Sequence, residues 1–218
     1  KITRYLIPDD KKRAAFVKKV KDVEDSVLRY KSIFRGTNSI LEVKHDAELN
    51  YPGMLIIANN GSLIYDCDSE TVLQRIDIPF DHVKYILDTS KKLGVHCQTY
   101  TDTHIVCEQY NEELEFYVNR IHLPCIISSD VVGELTIPPL KLLAIDIHNF
   151  DNLEALRKEL LPWAEGKIEM LYSSTRLLEF IHADSGKGNA IRTICKMFNV
   201  PIEDSLAAGD MNNDLSMI

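Results

Sequence analysis

Residues 185–214 read SGKGNAIRTICKMFNVPIEDSLAAGDMNND. Lys187 stands between two glycines, and Ala190, Ile191, Ile194 and Met197 then recur at helical spacing. Ser205, Leu206, Ala207 and Ala208 follow as an apolar run that predicts a short buried strand, and Gly209 lets the backbone turn sharply after it. Asp210, Asn212, Asn213 and Asp214 crowd just beyond that turn. A polar cluster at the carboxyl end of a buried strand is where α/β sheets bind ligands. Two carboxylates this close repel each other unless a cation or a basic side chain lies between them. Lys187 is the candidate, because one helix returning along the sheet brings its loop to the same strand-end edge as Gly209. A second reading stays open, in which Asp210 and Asp214 cap a helix starting near Asn212.

Outward from this stretch, the chain reads as core, insert, core. At the amino end a strand at 5–7 meets Pro8, Asp9 and Asp10, and helices are predicted over 13–27 and 39–49. A strand over 54–58, the turn residues Asn59, Asn60 and Gly61, and a strand over 62–65 predict a hairpin. From about residue 76 the texture changes. Helices are predicted over 80–93, 111–121 and 152–160, and strands over 95–100, 104–107, 140–147, 168–172 and 177–181. Two similar passes of helices and paired strands predict a self-contained α+β insert over 76–182, flanked by a core over 1–75 and 183–218. The expected fold class is therefore α/β, a doubly wound, Rossmann-like parallel-sheet core with an inserted α+β domain.

The bulk numbers narrow the function. Of 218 residues, 45% are hydrophobic and 27% charged, and the formal net charge is −8. That balance argues against a nucleic-acid binder, and the basic run of Lys11, Lys12, Arg13, Lys18, Lys19 and Lys21 reads as a solvated helix face. Five cysteines without C-x-x-C spacing argue against a disulfide framework and a zinc site. No apolar run approaches the ~18 residues of a membrane helix. The expectation is a cytoplasmic protein in a reducing compartment, with no membrane partner and no signal peptide. None of the seven histidines shows ligand spacing, so all are expected to be structural, and Trp163 is expected to pack within the insert.

The run from Lys187 to Ile191, a helix, a strand, and then Gly209 to Asp214 resembles the third and fourth motifs of haloacid dehalogenase-like phosphatases. Within them it is closest in pattern to the Cof-type sugar phosphatases with a class IIB cap. Glu179, Phe180, Ile181 and His182 resemble the strand returning from that cap. Residues 57–65 resemble the family's hairpin, and Arg35 with Ser39 and Ile40 resembles the start of an early helix. The resemblance implies a Mg²⁺-dependent phosphatase that hydrolyses a small phosphorylated metabolite through an aspartyl-phosphate. By resemblance Asp9 is nucleophile and metal ligand, and Asp210 is a second ligand. Lys187 would hold the phosphoryl oxygens, Asn213 and Ser32 would bind phosphate, and Asp214 would fix Lys187.

The first motif departs from the family pattern. The family opens with D-x-D-G-T, whereas here Lys11 occupies the acid/base position and Asp10 is the substitute. Ser32 lies one step out of register with the second motif, where Ile33 stands in the expected place. Two readings follow: an enzyme whose first motif is incomplete in this sequence, or a catalytically impaired relative that binds a phosphorylated ligand or a protein.

Overall fold

The structure is a computed structural model that describes residues 53–121, 123–207, 209 and 212–217. Within that range the hairpin is present. β1 (Leu55–Ala58) pairs antiparallel with β2 (Leu63–Asp66), and β2 pairs with β3 (Thr71–Arg75). The connection between β1 and β2 needs three successive residues in the left-handed region, and Asn59, Asn60 and Gly61 adopt φ of 49°, 53° and 95°. Asparagine and glycine enter that region most readily, which is why this tripeptide makes the turn. At the other end of β2, the Asp66 carboxylate accepts hydrogen bonds from the Asp68 amide at 2.9 Å and the Ser69 hydroxyl at 2.7 Å. These bonds fold the chain back into β3, a strand absent from the sequence expectation.

The insert forms around a second sheet. In chain order it contains α1 (Phe80–Lys92), β4 (His96–Tyr100), β5 (Ile105–Cys107), α2 (Glu112–Ile121) and β6 (Cys125–Ile127). It continues with β7 (Leu142–Ile145), α3 (Phe150–Ala164), β8 (Ile168–Ser174) and β9 (Leu177–His182). The sheet order is β6-β5-β4-β7-β9-β8, with β5 and β6 parallel and every other neighbouring pair antiparallel. One face carries Cys97, Val106, Leu142, Ala144, Leu178 and Phe180. These pack with Val83 and Ile86 of α1 and Leu153, Leu156 and Leu160 of α3. The opposite face carries Ile105, Cys107, Leu143 and Ile145 against Leu114 and Tyr117 of α2. β7, in the middle, is thus covered on both sides, and all four of its residues are apolar and buried. A strand packed on both faces has no solvent side to alternate with.

The helix ends follow local chemistry. α1 closes with the Gly94 amide donating to the Lys91 carbonyl and the Val95 amide to the Ser90 carbonyl. Gly94, at φ 69°, supplies the left-handed turn. α3 starts two residues earlier than expected because the Asn149 side chain accepts from the Asp151 amide at 3.1 Å. It also continues through Pro162 to Ala164, since Leu160 and Ala164 are buried on the same face and packing carries the last turn. α4 (Lys187–Met197) follows β9 and buries Gly188, Ala190 and Cys195.

The expected strand at 205–208 is a correction. Ser205, Leu206 and Ala207 belong to no strand, and Leu206 is 53% exposed. No described strand lies beside this segment to donate a ladder, and an extended run without a neighbour cannot bury its side chains. Among the described residues no helix is long and apolar enough to cross a membrane. Trp163 packs within the insert as expected, its ring 4.4 Å from that of Tyr85 and 5.2 Å from that of His82.

Candidate active site

The loop from β9 into α4 sets the site. Ser185, fully buried, donates its amide to the His182 carbonyl at 2.9 Å. Its hydroxyl accepts from the Ser62 hydroxyl at 3.0 Å. Gly186 at φ 118° then turns the chain, and its carbonyl accepts the first helical bond of α4 from the Ala190 amide. The Asn189 side chain closes over the loop, donating to the Ser185 carbonyl at 2.8 Å and the Asp184 carbonyl at 3.3 Å. Lys187 thereby occupies the first helical position with its backbone held on both sides.

Its ammonium donates to the Asp214 carboxylate, which sits in a 3-10 turn over Asn212–Met217. The Asp214 side chain is only 8% exposed and that of Lys187 is 28% exposed. A carboxylate removed from water requires a counter-charge or a set of donors, so this pair is partly obligatory once the turn packs against α4. That packing is close. The Gly188 amide donates to the Ser216 hydroxyl at 3.1 Å, and the Ser216 backbone occupies the space that a side chain at position 188 would need.

A second group of polar side chains adjoins the loop from the insert side. Asn60 donates from Nδ2 to Glu179 Oε2 at 2.9 Å, and Lys141 Nζ lies 3.4 Å from the same oxygen. The Lys141 ammonium also stands over the Tyr100 ring, 5.2 Å from its centre. Burial pushes the Glu179 carboxyl up, but the Lys141 charge and the bonds to the carboxylate outweigh it and hold the group below the usual range. Lys141 shows the reciprocal result: burial lowers it, and Glu179 more than restores it. Asn60 and Glu179 were quoted in the sequence only as parts of a hairpin and a returning strand. Their meeting across the chain had no sequence signal.

Of the residues expected at the site, the structure brings Lys187 and Asp214 together. Asp214 pairs with the lysine from the first turn of the 3-10 segment over Asn212–Met217. Asp9, Asp10, Ser32 and Asp210, and the side chain of Asn213, lie outside the described residues. His182 borders the same loop, its carbonyl accepting from the Ser185 amide and its ring nitrogen from the Asp184 amide. Elsewhere, the groups of Glu112, Glu113 and His148 lie within 4.8 Å of one another, the one such metal-capable trio among the described residues. His148 Nε2 is 2.7 Å from Glu112 Oε1, and that carboxylate raises the imidazole above its ordinary range.

Comparison with known proteins adds a context for this geometry. Residues 34–218 match the family of haloacid dehalogenase-like hydrolases. The chain is 24% identical over 172 residues to YxeH of Bacillus subtilis, a protein named as a phosphatase. The match covers 76% of this chain and 62% of YxeH, so the chain spans less than two thirds of that relative. A haloacid dehalogenase-like hydrolase from Bacteroides thetaiotaomicron superimposes with a TM-score of 0.73 at 23% identity, over 84% of this chain and 69% of that one. The subclass IIB sugar phosphatase BT4131 superimposes with a TM-score of 0.65 at 20% identity, over 91% of this chain and 74% of its own. These likenesses show the fold, an α/β doubly wound core carrying an inserted α+β cap.

Proposed function

The chain belongs to the haloacid dehalogenase-like hydrolases, and from that membership we propose a Mg²⁺-dependent phosphatase acting on a small phosphorylated metabolite. The observation that carries the proposal is the Lys187–Asp214 pair at the first turn of α4, where a buried carboxylate holds a lysine that is itself partly open to solvent. A phosphomonoester is doubly charged, and a compact ammonium offsets that charge without demanding the planar geometry of a guanidinium. The sugar phosphatase among the structural relatives favours a sugar phosphate as substrate.

In this reading the Asp9 carboxylate attacks phosphorus while the bond to the leaving oxygen breaks. Asp10 returns a proton to the leaving group, and water then hydrolyses the aspartyl-phosphate. Lys187 holds the phosphoryl oxygens through both steps, Asp214 keeps its ammonium aimed, and Asn213 and Ser32 bind further phosphate oxygens. The donor set suits a hard cation. Asp214 is engaged by Lys187, which leaves the carboxylates of Asp9 and Asp210 to hold Mg²⁺. When bound, the cation offsets repulsion between the phosphate and the attacking carboxylate. We assign the core to 1–75 and 183–218 and the cap to 76–182, and limited proteolysis should cut first at the exposed turn over 68–71, because the joint at 183–186 is packed around the fully buried Ser185.

The test is hydrolysis of p-nitrophenyl phosphate with and without Mg²⁺, by the parent protein and by Lys187→Ala. Turnover that needs Mg²⁺ and falls at least about 100-fold in the variant, compared at a temperature where both proteins are folded because Asp214 loses its counter-charge, is the expected result. Phosphate binding without turnover would replace the enzyme with a binding protein, the reading that Lys11 at the acid/base position favours.

A further inference from the structure

We propose that Asn60 and Glu179 are positioning residues that couple the cap to Lys187, an inference that rests on the phosphatase reading above. The hairpin turn at residues 59–61 is packed directly against the loop that precedes α4. A side-chain carbon at Gly61 would lie 2.9 Å from the Lys187 amide nitrogen and closer still to the Gly186 carbonyl. The next residue, Ser62, is fully buried, donates to Ser185 and lies 3.4 Å from the Leu140 carbonyl. The turn therefore touches the lysine loop through two consecutive residues, with no space between them to absorb a shift.

The residue before Gly61 faces the other way. Asn60 reaches Glu179 of β9, 119 residues along the chain, and Glu179 is in turn held by Lys141 at the entry to β7. β7 and β9 are adjacent strands of the cap sheet, with Leu142 opposite Phe180 and Leu143 opposite Glu179. A displacement of the cap sheet thus pulls on Asn60, and the turn transmits it to Gly186 and Lys187. The Lys141–Glu179 ion pair fixes the Glu179 carboxylate between two adjacent strands of the cap sheet, and Asn60 is the group that carries its position to the lysine loop. Lys187 must stay aligned with the equatorial phosphoryl oxygens as they flatten in the transition state, so its misplacement should appear mainly in kcat.

Asn60→Gly is the clean perturbation, because glycine keeps the left-handed backbone at φ 53° while removing the amide. With p-nitrophenyl phosphate and Mg²⁺, kcat should fall about tenfold while KM stays within about threefold, and the melting point should change little. Glu179→Gln should also lower kcat. In the Asn60→Gly background its loss should be less than additive, since both changes weaken the Asn60–Glu179 contact while Glu179→Gln also removes the counter-charge of Lys141. Unchanged kcat in Asn60→Gly, or strictly additive losses in the double variant, would overturn the proposal. If the parent protein shows no turnover, the phosphatase reading falls by itself. Orthovanadate affinity then tests the positioning separately: about tenfold weaker binding by Asn60→Gly is expected, and equal binding overturns it.

Discussion

Gly61→Ala should be among the most damaging single-methyl substitutions in the molecule. Two independent terms add. At φ 95° an alanine is held in a region that L-residues rarely occupy, which costs about 1–3 kcal/mol. The added carbon also overlaps backbone, standing 2.9 Å from the Lys187 nitrogen and closer to the Gly186 carbonyl. Neither neighbour is a flexible side-chain end, so the turn or the start of α4 must move, at about 1–3 kcal/mol for overpacking of this kind. The sum is about 2–6 kcal/mol, a large share of the ~5–15 kcal/mol that stabilises a typical domain. Gly94→Ala is the matched control, with φ 69° and no atom within 4 Å of an added carbon. It should lose only the backbone part, about 1–2 kcal/mol at this φ. Urea unfolding followed by far-UV circular dichroism gives both values. If the two variants lose the same stability, the turn is not wedged against the lysine loop, and the mechanical link between them disappears.

Leu156→Ala empties a fully buried position under α3 and should cost about 2–5 kcal/mol in the same assay, against under about 0.5 kcal/mol for an exposed change such as Lys84→Ala. Burial lowers His96 below its ordinary 6.5, outweighing its bond with Gln98 and the charge of Glu113, so the folded protein prefers it neutral. Its contribution is complete above about pH 6.5 and is lost as pH falls through the lowered value, whereas those of Glu179 and Asp146 fade only below the carboxylate range. His96→Gln should therefore flatten stability against pH just below 6.5, and an unchanged slope there would refute the assignment. Lys187→Arg should recover only part of the turnover lost in Lys187→Ala, because a planar fork does not replace a point charge beside Asp214. Asp210→Asn should abolish thermal stabilisation by Mg²⁺, and stabilisation that survives would reduce Asp210 to a capping role.

The insert was legible because its elements have strong, simple patterns. Leu142–Ile145 is apolar throughout, and the buried positions of Phe80–Lys92 recur at helical spacing. β3 was missed because Thr71 and Val72 are exposed and its residues have no clean alternation, and β6 because three residues at a sheet edge carry too little pattern. The run at 205–207 misled for the opposite reason. Its composition is apolar, but composition does not say whether a neighbouring strand is present. At the site, the glycine-flanked Lys187 and the acidic cluster after Gly209 could be read from spacing, since one helix joins them. The contacts of Asn60 with Glu179 and Ser62 with Ser185 span 119 and 123 residues. They use residue types that are ordinary at turns and strand ends, so nothing local distinguishes them.

The double coverage of β7 has a consequence for how the molecule opens. Its neighbours β4 and β9 take its hydrogen bonds on both edges, while the α1–α3 layer and α2 lie over its two faces. No partial fraying can expose it without taking the cap apart. The Leu142–Ile145 amides should accordingly be among the last to exchange with deuterium, through global unfolding of the cap, while those of β6 and β8 at the sheet edges exchange by local excursions.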